Sequence, residues 1–174
     1  YEQMWKQVEA LEQKQLPESA IKELQKIYEH AKQEKNMPQM MKAHLTKASL
    51  SIDITPDSLD RELSGLKTWV AEEKDPVYKA ILNHLLGYYT LDTGKRDEAA
   101  IDAAIAYFRL SLQDKDLLSR KSAADYRPMT VSKELSGKYC GDNMYQLLAR
   151  QAISRLSGYF IVNPVLAGKI QTEI

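Results

Sequence analysis

The chain is poor in the residues that build several fold classes. Among 174 residues there is one cysteine, Cys140, so no intrachain disulfide and no cysteine-based metal cluster can form. Glycine occurs seven times and proline six, too few to supply the turns of an all-β fold. Charge of one sign is missing as well: 24 Lys and Arg balance 24 Asp and Glu. A general nucleic-acid or acidic-membrane binder would need a cationic excess. No apolar run approaches the length that spans a bilayer. What is abundant is Leu (21), Ala (17), Lys (17), Glu (13) and Gln (11), side chains that lose little rotamer freedom on a helix. The expectation is an all-α protein of about seven or eight helices.

Apolar residues recur at helical spacing through residue 112. Met4, Val8 and Leu11 share a face of a first helix over about 2–14, with Trp5 beside them. A second helix starts at Pro17, a position where the missing N–H would be unpaired anyway; Ile21, Leu24, Tyr28 and Ala31 form its stripe and Asn36 closes it. A third starts at Pro38 with Met41, Leu45 and Ala48, followed by Ser51–Ile54 as an extended connection. Thr55-Pro56 opens a fourth, Thr55 serving as N-cap, with Leu59, Leu63, Leu66 and Val70 in line and Trp69 expected to be buried beside them. Asp75-Pro76 opens a fifth carrying Ile81, Leu82, Leu85 and Tyr89. Asp97 caps a sixth with Ile101, Ala104, Ile105, Phe108 and Leu112. Residues 113–142 break the pattern: a short helix near 115–123, then a loop. Helix resumes after Asp142 with Tyr145, Leu148, Ala152 and Leu156. Tyr159–Val162 reads as a strand or a buried extended segment. The organisation expected is a helical domain over 1–158 and a linker over 159–174. The chain starts at Tyr1 rather than Met and reads as a piece of something longer.

Pro17 and Pro56 are 39 residues apart, and Pro38 and Pro76 are 38, so pairs of helices recur with the arithmetic of an α-solenoid. Locally, Leu86-Gly87, Gly94, Asp97-Glu98-Ala99 and Ala106 resemble the tetratricopeptide repeat. Gly87, Ala99 and Ala106 are then expected to let two antiparallel helices approach closely. Asn83, Thr90 and Ala103 depart from that pattern. The expected architecture is a tetratricopeptide-like solenoid of antiparallel helix pairs, with an irregular helical bundle as the other reading.

No catalytic constellation emerges. His30, His44 and His84 lie on three different predicted helices without ligand spacing, so they read as surface or packing residues and no metal or cofactor is expected. Cys140, ahead of a helix start, has no histidine nearby in sequence to act as its base. Gly94-Lys95-Arg96 lacks the upstream glycine of a phosphate loop. Of ten tyrosines, Tyr88, Tyr89 and Tyr107 cluster in the tetratricopeptide-like unit. They are candidates for a groove that grips a peptide, since Tyr offers contact area with only two rotors to freeze. Packing between helices, hydroxyls outward, is the simpler reading and the favoured one.

A wider resemblance runs over about residues 1–160. Tyr1, Trp5-Lys6, Leu16-Pro17, Ile27-Tyr28, Glu34-Lys35-Asn36 and Pro38-Gln39, with Asp125-Tyr126-Arg127-Pro128 and Met144-Tyr145, resemble the helical N-terminal region of large bacterial alpha-2-macroglobulin-like proteins. That resemblance implies an exported protein of the cell envelope or periplasm whose parent traps proteases. The family's thioester motif is absent: Cys140 is followed by Gly141-Asp142-Asn143. The helix-pair period and the lack of a catalytic constellation lead to the expectation of a non-enzymatic module serving a protein or peptide partner, or else a structural spacer without a partner of its own.

Overall fold

The helices are set by their ends. In the computed structural model, which describes residues 1–55, 57–92, 97–126 and 142–160 (side chains at 52, 53, 92, 159 and 160 excepted), eight α-helices follow one another. They are α1 (Glu2–Gln13), α2 (Pro17–Gln33), α3 (Met37–Ile54), α4 (Ser58–Glu72), α5 (Pro76–Asp92), α6 (Glu98–Leu112), α7 (Lys115–Ser119) and α8 (Met144–Phe160), with a 3-10 turn at Ala123–Tyr126. No strand occurs among the described residues; one antiparallel bridge joins Ser122 to Asn143. The protein is all-α. No helix among the described residues is long and apolar enough to cross a membrane.

Most of the helix starts follow side-chain chemistry. Pro17 occupies the first position of α2. The Asp75 carboxylate accepts the Val77 and Tyr78 N–H groups at 2.8 and 3.1 Å, and Asp97 accepts the Ala100 N–H at 2.9 Å. Each satisfies donors that the first helical turn would leave orphaned. Asn36 closes α2 as expected, its N–H donating to the Ala31 carbonyl, and its Oδ1 also accepts from the Gln39 N–H and caps α3. Three expectations change. The segment 51–54 is helical rather than extended, and Thr55 ends α3, its N–H donating to the Ser51 carbonyl, while α4 begins at Ser58. Tyr159 and Phe160 continue α8 instead of leaving it. Pro56, residues 127–141 and 161–174 lie outside the described residues.

Two compact units divide the chain, Tyr1–Glu62 and Leu63 onward. In the first, α1 packs on α2 and α2 on α3. The three-residue linkers 14–16 and 34–36 make these neighbours antiparallel. Val8, Ala20, Leu24, Ile27 and Ala43 form the core, with Met4, Trp5, Leu11, Tyr28 and Leu50 packed around it. Trp5 donates its indole N–H to Gln39 Oε1 at 2.7 Å, and Lys42 lies over its ring.

In the second unit α5 packs against α6, and α8 lies against both and against α7. Residues 80–87 of α5 are buried on every side, which makes α5 the central helix of this unit. Leu91, Ile101, Ala104, Ile105, Phe108, Ala152 and Leu156 form one cluster around it. The Gly87 expectation is half right. A Cβ at Gly87 would stand 2.7 Å from Phe108 Cε1, so the helices do approach closely there. The neighbour is Phe108, however, not Ala99 or Ala106, which are exposed. Helix α6 buries Ile101, Ala104, Ile105, Phe108 and Ser111, and Ala99 and Ala106 fall on its opposite side. Trp69 is half-buried rather than enclosed.

Candidate functional site

Tyr88 and Tyr89 end the buried stretch of α5 and part company there. Successive residues on a helix point about 100° apart, so one ring turns out and the other in. Tyr88 is 38% exposed and Tyr89 only 6%. Their rings meet edge to face, centroids 5.8 Å apart at 90°, an arrangement that aromatic quadrupoles favour. Tyr107, on α6, is half-buried, and no ring contact joins it to either of the others among the described residues.

The residue that completes this face is Arg155 of α8. Its guanidinium carbon lies 4.1 Å above the Tyr88 ring. Arg155 flanks the buried stripe Leu148, Ala152 and Leu156, which anchors α8 against α5 and α6 and so fixes where the guanidinium reaches. A cation over an aromatic face is attracted by the ring quadrupole and holds it in place. Nothing in the sequence joins residues 88 and 155 except that both border apolar stripes, and that was the only available signal. The face is therefore one exposed phenol, propped from behind by a buried tyrosine and covered on one side by a planar cation. It offers hydrogen bonding through the hydroxyl and guanidinium and apolar contact through the ring. Leu110 on α6 and Ile153 on α8 are also exposed.

The histidines do not converge. His30 is exposed, 3.3 Å from Glu34, with its ring against Tyr1. The Tyr1 hydroxyl donates to Glu34 Oε2 at 2.6 Å; desolvation first, then this bond and the nearby carboxylate charge, push the phenol up to about 12. His44 on α3 and His84 on α5 are both buried, one in each unit. Burial lowers each imidazole to about 4, with Lys47 adding to the effect at His44. Tyr78 and Tyr126 pair edge to face at 5.9 Å, and burial together with Asp75 raises both phenols. Among the described residues no group of three His, Cys, Asp or Glu side chains could hold a metal ion. Cys140 and Gly94-Lys95-Arg96 lie outside the described residues.

No protein family, curated protein or solved structure matches this chain.

Proposed function

We propose that this chain is a non-catalytic helical module, with solenoid-like stacking of helix pairs, that docks a protein or peptide partner. The observation that carries the reading is Tyr88: an exposed aromatic directly after the buried stretch 80–87 of the central helix, held by Tyr89 and Arg155. Tyr and Arg are the residues through which interfaces concentrate their binding energy. A ring already fixed by its neighbours loses little entropy on docking. The non-catalytic part of the reading is supported by the placement of the histidines. The two that are buried are out of solvent reach, and the exposed one is engaged by Glu34 and Tyr1. The resemblance to alpha-2-macroglobulin-like proteins supports placing such a module in the N-terminal part of a large envelope protein that traps proteases.

The test is selection of binders from a displayed random peptide library. Enriched peptides are expected to bind Tyr88→Ala at least tenfold more weakly than the parent, on the scale of an interface anchor, at unchanged melting temperature. Peptides indifferent to Tyr88, or no enrichment at all, would support the structural-spacer reading instead.

A further inference from the structure

The close approach of α6 to Gly87 carries an ionisable ring. His84 precedes Gly87 by three residues on α5, and its imidazole packs on the same Phe108 ring that crowds Gly87, centroids 5.2 Å apart. His84 is 4% exposed, and its Nδ1 has no hydrogen-bond partner among the described residues. Packing holds this imidazole rather than a polar network.

The helices packed against it supply no counter-ion from their buried faces. α6 turns Ile101, Ala104, Ile105, Phe108 and Ser111 inward, and α8 turns Met144, Leu147, Leu148, Ala152 and Leu156. The carboxylates of α6, Glu98 and Asp102, are exposed, as is Arg109; Tyr107 is half-buried. Among the described side chains of α8 the titratable groups are Tyr145, Arg150 and Arg155, none of them a carboxylate. On α5 itself they are Tyr78, Lys79, Tyr88 and Tyr89, with Asp92 as the last residue of the helix, more than two turns beyond His84 and with its side chain outside the described residues. An imidazolium at this point would lose its hydration with no carboxylate from the described buried faces of α6 or α8 in return, and attraction to the Phe108 face restores only part of that loss.

We propose that His84 is an acid-operated latch of the second unit: neutral, it seals the α5–α6 crossing against Phe108, and protonated, it must leave that crossing and the two helices part. This inference is independent of the docking reading. Burial holds the folded-state imidazole at about 4, below its ordinary 6.5. The unfolded chain therefore takes up the proton first. The stability contributed by the neutral ring is complete above pH 6.5 and is lost as pH falls from 6.5 towards 4. Between pH 7 and pH 5 this one group lowers the folded-to-unfolded ratio about twentyfold.

Denaturant unfolding of the parent and of His84→Leu between pH 7 and 4.5 separates this group from the rest. His44 contributes its own acid sensitivity to both proteins, so the difference between them isolates His84. The variant is expected to lack the twentyfold share, and amide protection factors along α5 and α6 are expected to fall on acidification in the parent but not in the variant. If His84→Leu does not fold, His84→Gln replaces it. The nuclear magnetic resonance titration of the His84 ring in the folded parent stands in either case. The expected result there is no titration above about pH 5. A ring that titrates near its ordinary 6.5 overturns the latch, as does an equal pH slope in parent and variant.

Discussion

Gly87 shows what a single position can and cannot reveal. Glycine in mid-helix is unfavourable by about 1 kcal/mol relative to alanine, so its presence between Leu86 and Tyr88 announces a close neighbour. The identity of that neighbour was not legible. The tetratricopeptide pattern points to small residues at 99 and 106, but α6 is rotated so that its largest buried side chain, Phe108, fills the gap. A small residue met by an aromatic packs as densely as two small residues met by each other, and local sequence does not distinguish the two. The consequence is testable. Gly87→Ala gains helix propensity, yet its Cβ would fall within 3 Å of a fully buried ring that cannot swing aside. Overpacking of this kind costs about 1–3 kcal/mol. The net expectation is a loss on the order of 1 kcal/mol in chemical denaturation. In a Phe108→Leu background the same substitution should cost nothing or stabilise. An alanine variant as stable as the parent in the wild-type background would show that the crossing is loose.

At the scale of elements, two turns of the first unit use the same construction, and composition concealed it. Gln15 and Lys35 both adopt positive φ, 56° and 55°, in the left-handed region. After α1 the Gln15 N–H donates to Glu12 and the Leu16 N–H to Leu11; after α2 the Lys35 N–H donates to Lys32 and the Asn36 N–H to Ala31. Both are Schellman turns, which ordinarily place glycine where Gln15 and Lys35 stand. A search for glycine therefore finds neither. The same economy of chain gives Asn36 a second role: its backbone closes α2 while its side chain caps α3. Asp75 and Asp97 were legible because each does one thing, capping the helix that follows it. Asn143 with Gln146 is a reciprocal cap, the Asn143 side chain accepting from the Gln146 N–H at 2.9 Å and the Gln146 side chain from the Asn143 N–H at 3.1 Å. Because a side chain in the left-handed region is strained and glycine is not, Gln15→Gly and Lys35→Gly are each expected to stabilise by about 0.5–1 kcal/mol. The two gains should add within a few tenths of a kcal/mol, since the sites share no partner. A loss of stability in either variant, measured by thermal or urea unfolding, would contradict the turn geometry.

At the scale of the whole molecule, the spacing of prolines correctly indicated helices starting near 17, 38, 56 and 76; the observed starts are Pro17, Met37, Ser58 and Pro76. That much follows from periodicity and from the chemistry of helix N-termini. What spacing cannot carry is which helices share a core, because helical period is the same whether neighbours belong to one packed body or two. The chain divides within α4, between Glu62 and Leu63. Leu24 and Ile27 anchor the core of the first unit, and Phe108 and Ile105 that of the second. In arrays of helix pairs stability is a sum of local terms, and all-or-none unfolding is not guaranteed. The two tryptophans report on this separately, since Trp5 belongs to the first unit and Trp69 to the second. Leu24 is fully buried, so Leu24→Ala should remove about 2–5 kcal/mol from the unit that contains it. In a Trp69→Phe background, where only Trp5 fluoresces, the urea midpoint is expected to fall markedly. In a Trp5→Phe background, where only Trp69 fluoresces, the same substitution should move the midpoint much less. Phe108→Ala should reverse the pattern. If either core substitution shifts both midpoints equally, the two units unfold as one, and the division of the chain at Glu62 describes geometry without energetic separation.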